Sequence, residues 1–256
     1  MTGHVRLARD GAAAHVTFDR PAARNAMTWA MYEELAAICE SIGADPAIRV
    51  ATFRGAGETF VAGTDIAQFA GFRSGEDGVA YERRMEEILG RIDGLPCPTL
   101  AIVDGWCVGG GLAIAACCDL RVASDAASFG VPIARTLGNC LSIGNYARLV
   151  SELGIGRVKR MILGGTLITA GEAREAGFLS EVVAREDLDA TAAEWVRRLA
   201  RNAPVTQRVT KEAIRRVIAS GALSGEDLVR ECYGSEDFRR GVRAFLDKER
   251  PEWIGR

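Results

Sequence analysis

The chain has 256 residues, 48% hydrophobic and 26% charged, which fits one domain with an appendage: enough apolar mass for a large core and enough charge for a wetted surface. Thirty-two basic against 34 acidic residues leave a net charge of −2, so no overall attraction to nucleic acid or to an anionic membrane is expected. Seven cysteines (Cys39, Cys97, Cys107, Cys117, Cys118, Cys140 and Cys232), odd in number and without Cys-x-x-Cys spacing, exclude a disulfide framework and a zinc site and suit buried thiols in a reducing compartment.

The first residues, MTGHVRLARDG, lack the apolar core of a signal peptide, and the expected location is the cytoplasm. Residues 5–8 and 15–18 read as a hairpin joined by the Asp10-Gly11 turn. A helix is predicted from the N-cap Thr28, with Met31, Leu35, Ile38 and Ile42 on one face and Gly43 as its stop. A strand at 50–53 leads into a first glycine turn, and a charged helix at about 76–92 follows, with Tyr81, Met85, Ile88 and Leu89 at helical spacing. Residues 99–118 are long enough to span a bilayer and hold one charge, Asp104. The Asp104-Gly105 turn and three consecutive glycines divide them instead into a strand at 98–103, a turn and a buried helix at 109–117. A third strand is expected at 119–123.

This strand, turn and helix order, repeated twice, predicts an α/β fold with a parallel sheet built of crossovers. From Leu141 onward the signals are almost all helical, with Pro204 and Pro251 as breaks and a helical C-terminal segment from about residue 190. No tandem repeat or low-complexity tract interrupts the chain.

The chemistry concentrates in two turns, Phe60-Val61-Ala62-Gly63-Thr64-Asp65-Ile66 and Trp106-Cys107-Val108-Gly109-Gly110-Gly111. Small residues at Ala62 and Gly110 let a ligand carbonyl approach the main chain, where a fixed N–H stabilises negative charge developing on its oxygen. The second turn opens a helix, whose free N–H groups and dipole favour the same charge.

These segments resemble the crotonase, or enoyl-CoA hydratase/isomerase, superfamily. The resemblance rests on Phe18-Asp19-Arg20-Pro21 leading to Arg24-Asn25-Ala26-Met27, on the 60–66 signature, and on Gly109-Gly110-Gly111 followed by Cys118-Asp119-Leu120-Arg121 and Ser128-Phe129-Gly130. It continues through Ala170, Glu172-Ala173 and Gly177-Phe178-Leu179 to 241–248, and so covers nearly the whole chain. It implies a crotonase-like spiral of β-β-α units over residues 1–190, a helical trimerisation segment over 191–256, homotrimers or homohexamers, and acyl-CoA thioesters as substrates. Coenzyme A would then arrive as part of the substrate, with no permanently bound cofactor, no metal, no nucleic acid and no membrane. By alignment to the family signature, the oxyanion donors are the N–H groups of Ala62 and Gly110. The resemblance assigns contacts with the coenzyme portion to Arg24, Ala26, Ala62, Asp65, Ile66, Phe245 and Lys248, although Asp65 itself reads as a loop-fixing residue.

Hydration needs general acid/base groups, and family hydratases carry two carboxylates where this chain has Ala113 and Ile133. Ordinary two-carboxylate hydration is therefore not expected. The loop 135–142 offers Gly138-Asn139-Cys140, which resembles the Gly-Asn-Asp of the family's chlorobenzoyl-CoA dehalogenases and sets Cys140 at the nucleophile's place. A thiolate there needs its pKa depressed by Arg135 or by a helix start near Leu141; the alternative is a small hydrophobe in the loop leading into that helix, and no histidine lies nearby. Asn139 and Ser142 read either as caps or as hydrogen-bond donors to the acyl group. Glu82, Glu86 and Glu87 read as charges on a solvated helix face and form the reserve of carboxylates beside the acyl pocket. Pocket shape is assigned to Phe69, Phe72, Tyr81 and Met85. Two function classes stay open: an acyl-CoA enzyme, a lyase or an isomerase working through an enolate or a tetrahedral oxyanion or else a hydratase with relocated carboxylates, and an idle acyl-CoA-binding or partner subunit.

Overall fold

The computed structural model describes residues 3–202, 204–219, 230, 233–249 and 251. Cys232 lies outside the described residues. The opening hairpin pairs β1 (His4–Asp10) with β2 (Ala13–Asp19), and α1 (Trp29–Ala44) follows. Thr28 caps α1, its hydroxyl accepting from the Met31 N–H at 3.2 Å. Met31, Leu35, Cys39 and Ile42 fall on the buried face. Gly43 does not stop this helix; it lies in the last turn, and the helix ends at the Asp45 cap, whose N–H returns to the Ile42 carbonyl.

The chain then winds through repeated turns that each give one strand to each of two sheets. β3 (Val50–Gly55), β4 (Val61–Ala62) and α2 (Gly75–Asp93) form one turn. β5 (Thr99–Val103), β6 (Trp106–Val108) and α3 (Gly110–Ala116) form the next. β7 (Leu120–Ser124) and β8 (Ser128–Gly130) begin a third. The six-stranded sheet runs β1-β2-β3-β5-β7-β10 and the four-stranded one β4-β6-β8-β9, where β9 is Ile168–Thr169 and β10 is Glu181–Val183. All pairings from β2 to β10 in the larger sheet are parallel. Both of its faces are covered, so β3 and β5 read as continuous buried runs. Residues 99–118 thus fold as strand, short strand and helix, and no helix among the described residues is long and apolar enough to cross a membrane.

After β8 come α4 (Ile133–Thr136), α5 (Ile143–Leu153), α6 (Ile155–Leu163), α7 (Ala170–Glu175), α8 (Leu188–Arg201), α9 (Pro204–Ala219) and α10 (Glu236–Leu246). The expectation of an almost wholly helical second half misses β9 and β10. They are two and three residues long, too short for a period of two to show, and they exist because strands already in place offer them backbone partners. Pro204 separates α8 from α9 by opening the second of them, where its missing N–H is not needed.

α1, α2 and α3 enclose the main core with the inner faces of the sheets. α8 lays Leu188, Ala192 and Leu199 against Val50, Leu100, Ile102 and Val122 on the other face of the larger sheet. A third cluster joins Phe238 and Val242 of α10 to Phe69, Val79, Leu137 and Tyr233. That cluster is a knot of aromatic rings, Phe69 meeting Phe238 edge to face at 6.1 Å and Tyr233 meeting Phe238 at a tilt of 53°, 4.7 Å between centroids. It holds Tyr233 and α10 against Val79 of α2 and Phe69.

Candidate active site

A single loop geometry positions the first turn. Asn25, fully buried at φ 57°, accepts from the Arg20 N–H at 2.9 Å and donates to the carbonyls of Ala56 and Thr59 at 2.9 and 2.7 Å. Arg20 binds Asp65 at 2.7 Å and the Ala26 carbonyl at 3.1 Å. Asp65 therefore fixes the loop, and it also accepts from the Ala67 N–H at the start of a 3-10 turn, Ile66–Gly71. The second turn needs glycine, because Gly109 sits at φ 55° and an added Cβ on Gly111 would run into the Val61 carbonyl. With glycine there the two turns touch: a Cβ built on Gly109 would lie 3.5 Å from the Gly63 Cα, and one on Gly110 would lie 3.2 Å from the Thr64 hydroxyl.

The Ala62 N–H is not free. It donates to the Arg24 carbonyl at 3.0 Å, so it has no hydrogen to offer a ligand, and the expectation that it is the first oxyanion donor is corrected on that ground. The loop that carries Arg24 runs back alongside the first turn, which the sequence does not display. Met27 bridges this turn by donating to the Gly63 carbonyl and accepting from the Asp65 N–H, both at 2.8 Å. The Thr64 N–H lies between these two bonds and outside the ladder, and among the described residues it has no acceptor. Gly110, the first residue of α3, has the orphan N–H of a helix start.

Thr64 and Gly110 both line a cavity of roughly 490 Å³. Its walls are mostly apolar, with Ile66, Phe69, Met85, Leu89, Val108, Val131, Leu137 and Leu141. Ala113 and Ile133 also line it, and neither side chain can titrate. Three hydroxyls form a chain beside the turns: Thr64 Oγ1 lies 2.8 Å from Tyr32 Oη and 3.3 Å from Tyr81 Oη. Burial pushes Tyr32 up to about 12 and also raises Tyr81 well above the usual tyrosine range.

Glu82 stands on the same wall, 4% exposed. The reading of a solvated helix face is wrong for this residue, because α5 and the Tyr233 segment pack over that side of α2. The Tyr233 hydroxyl donates to Glu82 Oε1 at 2.7 Å and the Ser142 N–H donates to Oε2 at 2.9 Å. Desolvation raises its pKa to about 7, against these two bonds, which lower it, while the charge on Glu86 pushes the same way as burial. Glu86, one turn on, accepts from the Ser142 hydroxyl and lies 3.8 Å from Arg148. Glu87 faces solvent and pairs with Arg84 at 2.7 Å.

Ser142 is the N-cap of α5, accepting from the Asn145 N–H at 3.2 Å. Asn139 lines the cavity, its amide nitrogen 3.4 Å from the Tyr233 hydroxyl. Cys140 is half-buried against the aromatic cluster rather than on the cavity lining, and α5 starts at Ile143, beyond the start expected near Leu141. Arg24, Ala26, Asp65, Ile66 and Phe245 line the cavity or its mouth, where the Arg24 guanidinium sits 5.8 Å from the Trp106 ring centroid. Lys248 is exposed and outside the lining. Phe72 lines a neighbouring cavity of about 290 Å³ that shares Tyr32, Tyr81 and Met85 with the main one. The two histidines lie in the opening hairpin, His4 beside Glu34 and His15 beside Thr52. Among the described residues no group of three or more His, Cys, Asp and Glu side chains is disposed to hold a metal ion. Thr64, Tyr32 and Tyr233 were not singled out from the sequence; Thr64 was visible inside the first signature, whereas nothing in the sequence ties Tyr233 to Glu82.

Comparison with known proteins agrees with this architecture. A profile of the enoyl-CoA hydratase/isomerase family matches residues 8–256. A short-chain-enoyl-CoA hydratase of Clostridium acetobutylicum is 34% identical over 254 residues, 97% of each chain. Among solved structures, an enoyl-CoA hydratase/carnithine racemase from Magnetospirillum magneticum superposes with a TM-score of 0.81 at 33% identity, covering 100% of this chain and 97% of its own. A methylmalonyl-CoA decarboxylase bound to 2-nitronate-propionyl-CoA gives 0.90 at 25% identity, covering 99% of both chains. Matched over nearly its full length by the family profile, by a relative 34% identical and by solved structures, the chain belongs to the enoyl-CoA hydratase/isomerase family of the crotonase superfamily.

Proposed function

We propose that this protein is an acyl-CoA enzyme that seats the thioester carbonyl between the main-chain N–H groups of Thr64 and Gly110 and works through the negative charge that develops on that oxygen. The observation that carries this reading is the pair of N–H groups left outside the ladders where the two turns touch on the cavity wall. Fixed donors in an apolar site are worth on the order of 10² to 10³ in rate each. The apolar walls suit a short acyl chain, and Arg24, Ala26, Asp65, Ile66 and Phe245 at the mouth, with Lys248 beyond it, suit the coenzyme portion. With Ala113 and Ile133 in the cavity lining, two-carboxylate hydration of crotonyl-CoA is expected to be slow or absent. The working unit is proposed to be a trimer or a dimer of trimers.

The test exploits the position of Gly110 as the first residue of α3, where proline is tolerated. Gly110→Ala and Gly110→Pro both add a Cβ, but only proline removes the N–H. In variants that remain folded by circular dichroism, turnover of a panel of acyl-CoA esters, read by mass spectrometry, should fall by a further ~10² to 10³ from alanine to proline. Equal activity in the two variants, or no affinity of the wild type for any acyl-CoA, would overturn the reading. Acyl-CoA binding without turnover of any ester would instead support an idle binder.

A further inference from the structure

Four titratable side chains on the cavity lining are already accounted for: Arg20 and Asp65 hold each other at 2.7 Å, and burial keeps Tyr32 and Tyr81 protonated across the neutral range. Glu82 is different. It has no salt bridge among the described residues, it is almost wholly buried, and its carboxylate is held by a hydroxyl and a main-chain N–H rather than by a cation. Burying an unpaired carboxylate is costly, so a helix face that needed only packing would carry an apolar residue there.

Its partners suit both protonation states. With Glu82 ionised, Tyr233 donates to it and the Asn139 amide nitrogen lies 3.4 Å from the Tyr233 oxygen, while Asn139 Oδ1 is buried with no hydrogen-bond partner among the described residues. With Glu82 protonated, its O–H can donate to the Tyr233 oxygen, and the Tyr233 O–H is then released to the Asn139 amide oxygen once that amide turns over. An unpaired carbonyl at the end of the chain is what a network reversing its polarity leaves in one of its two states.

We infer that Glu82 is the proton carrier of this site, taking and returning a proton on the acyl carbons of the bound thioester, with Tyr233 as its positioning residue. The inference rests on the proposed acyl-CoA reading. The Glu82 carboxylate removes a proton from the carbon beside the thioester carbonyl. The C–H electron pair becomes the C=C bond of an enolate, and the charge moves to the oxygen held by the Thr64 and Gly110 N–H groups. Protonated Glu82 then returns the proton to that carbon, or to the γ-carbon when the chain carries a β,γ double bond, and is a carboxylate again. No oxidant or second base is required. The favoured substrate class is therefore a short thioester with an acidic α-hydrogen, above all a β,γ-unsaturated one, rather than an α,β-unsaturated ester awaiting water.

The groups facing Glu82 are Tyr81 and Glu86 on α2, Tyr32 on α1, Tyr233, and Arg148 of α5 behind Glu86. The tyrosines stay protonated through neutrality, so the rate should rise with pH through a midpoint near that of Glu82, about 7. The experiment follows vinylacetyl-CoA in D₂O, reading deuterium at the acyl carbons by mass spectrometry and crotonyl-CoA by absorbance, with butyryl-CoA affinity by calorimetry as the separate check on the acyl-CoA reading. Glu82→Gln should bind butyryl-CoA as the wild type does and lose ~10² to 10⁴ of the exchange rate, and Glu82→Asp should recover part of it. Tyr233→Phe should move the pH midpoint upward, because its bond favours the ionised carboxylate; a merely structural tie would leave that midpoint in place. Exchange at the wild-type rate in Glu82→Gln overturns the inference. So does a wild type that binds butyryl-CoA but exchanges nothing. If Glu82→Gln does not fold, the wild-type profile decides: a rise through about pH 7 supports Glu82 and a flat profile overturns it.

Discussion

Glu82 couples the chemistry of the site to the stability of the fold. Its pKa rises from 4.5 to about 7 on folding, so between those values the folded protein holds a proton that the unfolded chain has released. The stability this confers is complete below pH 4.5 and is lost as pH climbs through about 7. The shift corresponds to about 3 kcal/mol, an order-of-magnitude figure for so buried a group. Glu82→Gln removes this component and leaves those of Asp93 and Glu152, whose pKa values burial also raises. Urea unfolding at a series of pH values should show the stability of wild type relative to Glu82→Gln declining across that window. Parallel pH dependences in the two proteins would contradict the assigned burial cost. The residue scale also explains why Ala62 is not a donor: a main-chain hydrogen already bonded to the Arg24 carbonyl cannot serve a ligand as well.

At the scale of elements, the site depends on how closely the Tyr233 segment can approach α2. Gly78 makes that approach possible, because a Cβ built there would overlap the Tyr233 ring. Tyr233 is fully buried among Phe72, Tyr81 and Phe238, so the ring has little room to retreat. Gly78→Ala gains about 0.5–1 kcal/mol of helix propensity but overpacks a dense cluster, which typically costs about 1–3 kcal/mol. The expected outcome is net destabilisation in denaturant unfolding, together with an upward shift of the Glu82 midpoint as Tyr233 is displaced from it. A stabilised Gly78→Ala variant with an unchanged pH profile would show that the α2–Tyr233 contact is not what holds Glu82. α5 acts on the same carboxylate from the other side, its cap residue Ser142 giving its N–H to Glu82 and its hydroxyl to Glu86.

For the whole molecule, several apolar side chains are left outward: Ile155 at 60% and Leu163 at 76% exposure on α6, with Val209 and Ile214 on α9. Such residues are expected at contacts between copies of the chain, and light scattering at micromolar concentration should report a trimer or its multiple; a stable monomer would overturn the proposed assembly. The sequence by itself determined the alternation of strands and helices, the Thr28 cap, the two glycine turns, the loop-fixing role of Asp65 and the absence of titratable side chains at 113 and 133. Those features are local: periodicity, capping chemistry and glycine conformation act over a few residues and need no knowledge of distant partners. Tertiary structure decided the rest. The two- and three-residue strands exist because a neighbouring strand supplies their hydrogen bonds. Thr64 rather than Ala62 keeps a free N–H because the Arg24 loop returns beside the turn. Glu82, one charge among Glu82, Arg83, Arg84, Glu86 and Glu87, reads as solvated until α5 and a tyrosine 151 residues away close over it. Burial and hydrogen bonding set the protonation of a carboxyl group, and both depend on parts of the chain that only the fold brings together.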